Sequence, residues 1–114
     1  YSDLHTLRKA EPSEAIRRRV VAARAVQQKR LGKYGLFCNA QMNHRMIKKY
    51  CQMEKEAEQL LEAAFHRINL SARSHDRIIK VARTIADLVQ SPSITAAHIA
   101  EAVQLRSDVG LNIE

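Results

Sequence analysis

An all-α fold, a compact bundle of about five helices, is what this 114-residue sequence predicts. Alanine, leucine, lysine, arginine, glutamate and glutamine are abundant, and these residues lose little freedom in a helix. Only three glycines and two prolines are available for tight turns. Apolar residues recur at spacings of three and four in five segments, and nowhere with the period of two that a strand requires. No internal repeat is present. The length suits one domain around one core.

Residues 1–12 read as a linker, polar and closed by Pro12. Ser13–Leu31 reads as the first helix, with Ser13 as cap, Glu14 at the positive end and Lys29 and Arg30 at the negative end. Ile16, Val20, Ala23 and Val26 make its apolar stripe. Gly32 and Gly35 stop it, leaving Gly32–Asn39 as a loop. A short helix over Met42–Cys51 turns Met42, Met46, Ile47 and Tyr50 inward. Glu54–Ile68 buries Ala57, Leu60, Leu61, Ala64, Phe65 and Ile68. Ser71–Val89 has the strongest helical pattern. In the last helix, Thr95–Leu105, Thr95 caps while Ile94 and Ile99 stand where a hydrophobic staple places them. The domain runs over residues 13–107, and residues 108–114 form a tail.

No apolar run approaches the roughly 18 residues that a membrane span needs. The opening Tyr1-Ser2-Asp3-Leu4-His5 has no signal-peptide pattern, and a start at tyrosine suggests a piece of a longer protein. Cys38 and Cys51, each among apolar neighbours, read as reduced core residues, which fits a cytoplasmic location. The net charge of +7 is unevenly placed. Residues 1–52 hold twelve Lys/Arg against three acids, and residues 53–114 hold seven against nine. The basic half is either a solvated helix face, a surface for an acidic neighbour, or a nucleic-acid contact through Arg17, Arg18, Arg19, Arg24, Lys29 and Arg30.

On a helical wheel, Ile78, Val81, Ala82, Ile85, Ala86, Leu88 and Val89 take one broad side of Ser71–Val89. Arg73, Arg77, Lys80, Thr84 and Asp87 gather opposite, with Arg83 near the boundary. Solvent exposure explains most of these cations. Arg73 stands apart because it lies in the first turn, beside unpaired backbone N–H groups and the positive end of the helix dipole. That environment also suits an anion such as a phosphate oxygen.

The run Ser71-Ala72-Arg73-Ser74-His75-Asp76-Arg77-Ile78-Ile79-Lys80-Val81-Ala82-Arg83-Thr84-Ile85-Ala86-Asp87-Leu88 closely resembles the C-terminal signature of the Mg-chelatase-like AAA+ ATPases called ComM or YifB. His98-Ile99-Ala100-Glu101-Ala102-Val103-Gln104-Leu105-Arg106-Ser107 resembles that family's closing helix. Glu11-Pro12-Ser13-Glu14-Ala15-Ile16-Arg17-Arg18-Arg19-Val20, with Ala23-Arg24, resembles its first lid helix, and Asn39-Ala40-Gln41-Met42 its connecting loop. The resemblance covers nearly the whole chain in the right order. Ser74 and His75 depart from it, standing where alanine and tyrosine are usual, and after Ser107 only part of the usual ending is kept.

The resemblance implies a helical lid that packs on an ATPase core lying N-terminal to it. It also implies a sensor-2 arginine reading the terminal phosphate of ATP, which the Ser-x-Arg motif assigns to Arg73. Arg77 and Arg83 recur in the signature, where they either support that site, meet a neighbouring subunit, or pair with Asp76 and Asp87. ATP and Mg2+ are then cofactors of the full-length protein and not of this segment alone. Its partners are its own ATPase core, further copies in a homo-oligomeric ring of hexamer type, and DNA, with no membrane. No phosphate loop is encoded here, since Gly32, Gly35 and Gly110 cannot make a G-x-x-x-x-G-K-[ST] motif.

Other chemistries find little footing. Five histidines and two cysteines offer no C-x-x-C or H-x-x-x-H pairing, so no metal site is expected. Aromatic residues, at 4%, argue against a stacking platform for single-stranded nucleic acid. The alternative to an ATPase lid is a free-standing basic helical module that binds DNA or docks a partner.

Overall fold

Five α-helices carry the described residues: α1 (Ser13–Leu31), α2 (His44–Tyr50), α3 (Lys55–Arg67), α4 (Ala72–Leu88) and α5 (Ala96–Asp108). The computed structural model describes residues 13–68 and 70–108. The expected linker at 1–12 and all but the first residue of the expected tail lie outside them. Asp108 itself still belongs to α5, which runs three residues past the expected Leu105.

The helix ends follow from local chemistry. After α1 the chain tightens into a 3-10 turn, Gly32–Tyr34, and Gly35 takes the left-handed conformation at φ 74°. There the Leu36 N–H reaches the Leu31 carbonyl at 3.3 Å and the Gly35 N–H reaches that of Gly32 at 2.9 Å. The α-helix thus ends at Leu31, directly before Gly32, and Gly35 closes the 3-10 turn that follows. A second 3-10 turn, Asn39–Gln41, lies just before the expected start of the second helix at Met42, and α2 begins two residues later than expected, after Asn43, whose side chain accepts the Met46 N–H at 2.9 Å. At α5 a reciprocal cap forms: Thr95 Oγ1 accepts the His98 N–H at 3.4 Å, while His98 Nδ1 accepts the Thr95 N–H at 3.0 Å.

α4 is the central element, with α1, α2 and α5 against it and α3 against α5. Leu31, Ile47, Leu61, Ile78, Ala82, Ile94 and Ile99 are buried in one cluster, fed from every helix and linker. The α2–α3 and α4–α5 links are tied by a single bridge, in which the Ile94 N–H donates to Gln52 O and the Glu54 N–H to Ile94 O, each at 2.9 Å. No described helix is long and apolar enough to cross a membrane.

The wheel for the fourth helix needs correction. Asp87, assigned to the polar side, is buried, and Arg83 is only 2% exposed. Val81 and Val89, assigned inward, lie exposed. An isolated-helix wheel assumes one apolar partner, but α4 is flanked on its polar side by α1 and the Asn39–Gln41 turn. Ile16, Leu60 and Ile68 are likewise exposed, whereas Gln27 is buried between Ala23 and Leu31. Of the two cysteines, Cys51 is buried, and burial pushes its thiol up to about 11, so it stays protonated; Cys38, expected in the core, is exposed.

Candidate functional site

The first turn of α4 is held from three directions. Ser71 caps it, its Oγ accepting the Ser74 N–H at 3.1 Å and donating to Ser74 Oγ at 3.2 Å. Ser74 is fully buried, so this small hydroxyl acts as an internal fastener. The ring of His75 stands edge-on to Phe65 of α3, with centroids 5.5 Å apart, and so fills an aromatic position. Asp76 lies 3.1 Å from His44 Nδ1, which links α4 to α2.

Arg73 rises from this fixed turn into solvent. Its side chain forms no ion pair or hydrogen bond with any described residue. Neither its own N–H nor that of Ala72 has a partner in the described chain. Two free N–H groups, a helix dipole and one unneutralised guanidinium thus converge at one place, which favours an anion. Arg77 follows one turn later, also exposed, and makes no pair with Asp76.

A groove of about 800 Å³ opens beside this turn between α3 and α4, floored by Leu61, Phe65 and Met53. Glu58, Glu62 and Asp76 stand along it, and a polyphosphate would be repelled there. Arg73 does not line it. The groove is therefore separate from the anion-favouring position.

Arg83 belongs to a different structure. Its Nε donates to Asp87 Oδ1 at 3.2 Å, and its two terminal nitrogens donate to the carbonyls of Ser91 at 2.6 Å and Pro92 at 3.2 Å. Arg30 grips the same carboxylate with both arms at 2.9 Å and also reaches Asn39 Oδ1 at 3.0 Å. Asn39 donates to Asp87 at 2.9 Å and to Thr84 at 3.0 Å, and Gln27 accepts the Asn39 N–H at 3.1 Å. Burial works to raise the pKa of Asp87, but the hydrogen bonds from Arg30 and Asn39 and the two guanidinium charges outweigh it and hold the carboxyl below its ordinary 3.8. This network joins α1, the Asn39–Gln41 turn and α4. Arg83, ten residues from Arg73, sits about 15 Å along the axis from it and supports the fold.

The basic residues assigned to a DNA or subunit contact divide. Arg17, Arg18, Arg19, Arg24 and Lys29 are exposed on α1, while Arg30 turns inward to Asp87. At about 100° per residue, Arg17 and Arg24 share one edge of α1, Arg18 and Lys29 another, and Arg19 lies away from both. The cations encircle the helix and do not form one stripe. Among the described residues, no group of three or more His, Cys, Asp or Glu is placed to hold a metal.

Asn39 and Gln27 were not anticipated as structural residues. Gln27 had a legible signal, because it stands four residues from both Ala23 and Leu31 on the inward side of α1. Asn39 had none, since a buried loop amide is recognisable only once its partners are in place.

Residues 10–106 match the model of the magnesium chelatase subunit ChlI C-terminal family. The uncharacterized protein YifB of Escherichia coli is 41% identical over 97 residues, which are 85% of this chain and 18% of that protein. The competence protein ComM of Haemophilus influenzae is 37% identical over 103 residues, 90% of this chain and 19% of that protein. YifB of Salmonella typhimurium is 37% identical over 99 residues, 87% of this chain and 19% of that protein. The chain therefore spans about a fifth of the length of these relatives. No solved structure matches it.

Proposed function

Since the chain belongs to the magnesium chelatase subunit ChlI C-terminal family, in the branch that contains ComM and YifB, we propose that it is the helical lid of an AAA+ ATPase and that Arg73 is its sensor-2 arginine. The observation that carries this reading is the exposed, unpaired guanidinium on a turn locked by Ser71, Ser74 and His75. A cation kept rigid and unneutralised stabilises charge on a phosphoryl group at little reorganisation cost. ATP presents one more charged partner than ADP, so hydrolysis loosens the lid and becomes motion.

On this reading the rest of the catalytic apparatus, including whatever holds Mg2+, lies outside this chain, which spans about a fifth of the length of its relatives. The ATPase core packs beside α4, and copies assemble into a hexameric ring in the cytoplasm, where ATP is supplied. DNA is the substrate that suits this motor, because the cations of α1 favour a phosphate backbone. Neither Arg30 nor Arg83 is free for such contacts, both being committed to Asp87.

The test is Arg73→Ala in the full-length protein. Turnover should fall by on the order of 10²-fold, the usual consequence of removing one preorganised donor from a transition state. The thermal midpoint of the domain should stay unchanged. Undiminished ATP hydrolysis would rule the sensor role out.

A further inference from the structure

We infer that the acid-rimmed groove between α3 and α4 seats the opening half of α1 from a second copy of this chain. Arg17 and Arg24 of one copy meet Glu58, Glu62 and Asp76 of the next, around a contact of Val20 and Val21 with Met53 and Phe65. Among the described residues that line the groove none is lysine or arginine, in a chain that has 19 of them. Its carboxylates therefore lack a fixed cation. Glu58 forms no ion pair with a described residue, Glu62 reaches only His66, at 4.0 Å, and Asp76 faces the imidazoles of His44 and His75. Beneath this rim Leu61 is buried, and Met53 and Phe65 are half-buried. An apolar ridge that carries cations satisfies both the floor and the rim.

The chain presents such a ridge. Arg17, Val20, Val21 and Arg24 follow the i, i+3, i+4, i+7 spacing that puts them on one face of α1. Both arginines are exposed and neither bonds to a described residue, while Val21 is 59% exposed and Val20 half-buried. The two surfaces cannot meet within one molecule. Arg30 bonds to Asp87, and Val26 stands with Gln90 and Pro92 at the end of α4. α1 thus runs antiparallel to α4, and its start points past that end. The groove lies at the other end, beside Ala72, about 25 Å away along the axis of α4. Complementary patches at opposite ends of one chain join copies head to tail, and such a contact closes into a ring when its rotation allows. It names a contact for the assembly of copies proposed above, rests on that part of the reading, and uses neither Arg73 nor Arg77. Arg18 and Lys29, on another edge of α1, stay uncovered.

The test is sedimentation of the 114-residue chain at low salt and rising concentration, with circular dichroism to confirm the fold of each variant. The parent should self-associate, and added salt should weaken the association. Glu58→Arg with Glu62→Arg should weaken it by about 10-fold or more, and so should Arg17→Glu with Arg24→Glu, because each sets like charges against one another. An equal mixture of the two double variants should associate again, since each then finds an opposite charge on the other. A chain carrying all four substitutions should also self-associate. A parent that stays monomeric, double variants that associate like the parent, or a mixture that fails to recover would each overturn the proposal. So would a monomeric parent whose groove binds polylysine, because the occupant is then a foreign basic segment. None of these outcomes touches the sensor role, which ATP turnover by the full-length Arg73→Ala variant reads separately.

Discussion

At the last turns of α4, Arg83 and its neighbour Arg30 donate to one buried carboxylate and to backbone carbonyls, whereas at the first turn Arg73 has nothing opposite it. One helix thus carries arginines of identical intrinsic chemistry in two opposite conditions. At the buried end the donors are consumed in fixing α1, a loop and α4 against one another. The exposed end keeps its charge uncompensated. The difference lies in what each is packed against, and it separates residues that hold the domain together from a residue left open to solvent.

The largest effect expected from this contrast is at Asp87. Asp87→Ala leaves two guanidinium groups facing each other with their shared carboxylate gone, and should destabilise the domain by about 3–5 kcal/mol in a denaturant titration. A loss under about 1 kcal/mol would mean that the network is not what joins α1 to α4.

Arg83→Met should cost less, about 1–3 kcal/mol, because Asp87 keeps Arg30 and Asn39 while the Ser91 and Pro92 carbonyls lose their donors. Acid sharpens the same point. The folded pKa of Asp87 lies below its ordinary 3.8, so its contribution is full above that pH and disappears as pH falls through the lower folded value. The stability difference between the parent and Asp87→Asn should therefore be constant near neutrality and shrink below pH 3.8.

A smaller gain is expected where α4 ends. Gln90 adopts φ 58°, with the Ser91 N–H bonded to Ala86 O at 2.8 Å and its own N–H to Asp87 O at 3.0 Å. This is the closure in which glycine is preferred, so Gln90→Gly should raise stability by about 0.5–1 kcal/mol. Smallest of all, Arg73→Ala and Arg77→Ala should change the unfolding free energy by no more than about 0.5 kcal/mol. A large loss at Arg73 would break the comparison, because it would make that residue structural too.

Helix existence and order were open to reading because capping residues and apolar spacing are local properties: Ser71 and Thr95 stand where caps belong, and Ile94 and Ile99 are both buried. The exposure of Arg73 was legible for the same reason, since the first turn of a capped helix has few neighbours to hide it. What only the tertiary structure decided was the fate of the polar side of α4. Asp87, Thr84 and Lys80 follow the same periodicity as Arg73 and Arg77, yet α1 and the Asn39–Gln41 turn close over that half and convert a solvated stripe into a buried network. The pairing of Tyr34 with Tyr50, sixteen residues apart, was equally out of reach. Periodicity specifies which residues share a face, but whether that face meets water or another element depends on contacts between segments distant in the chain.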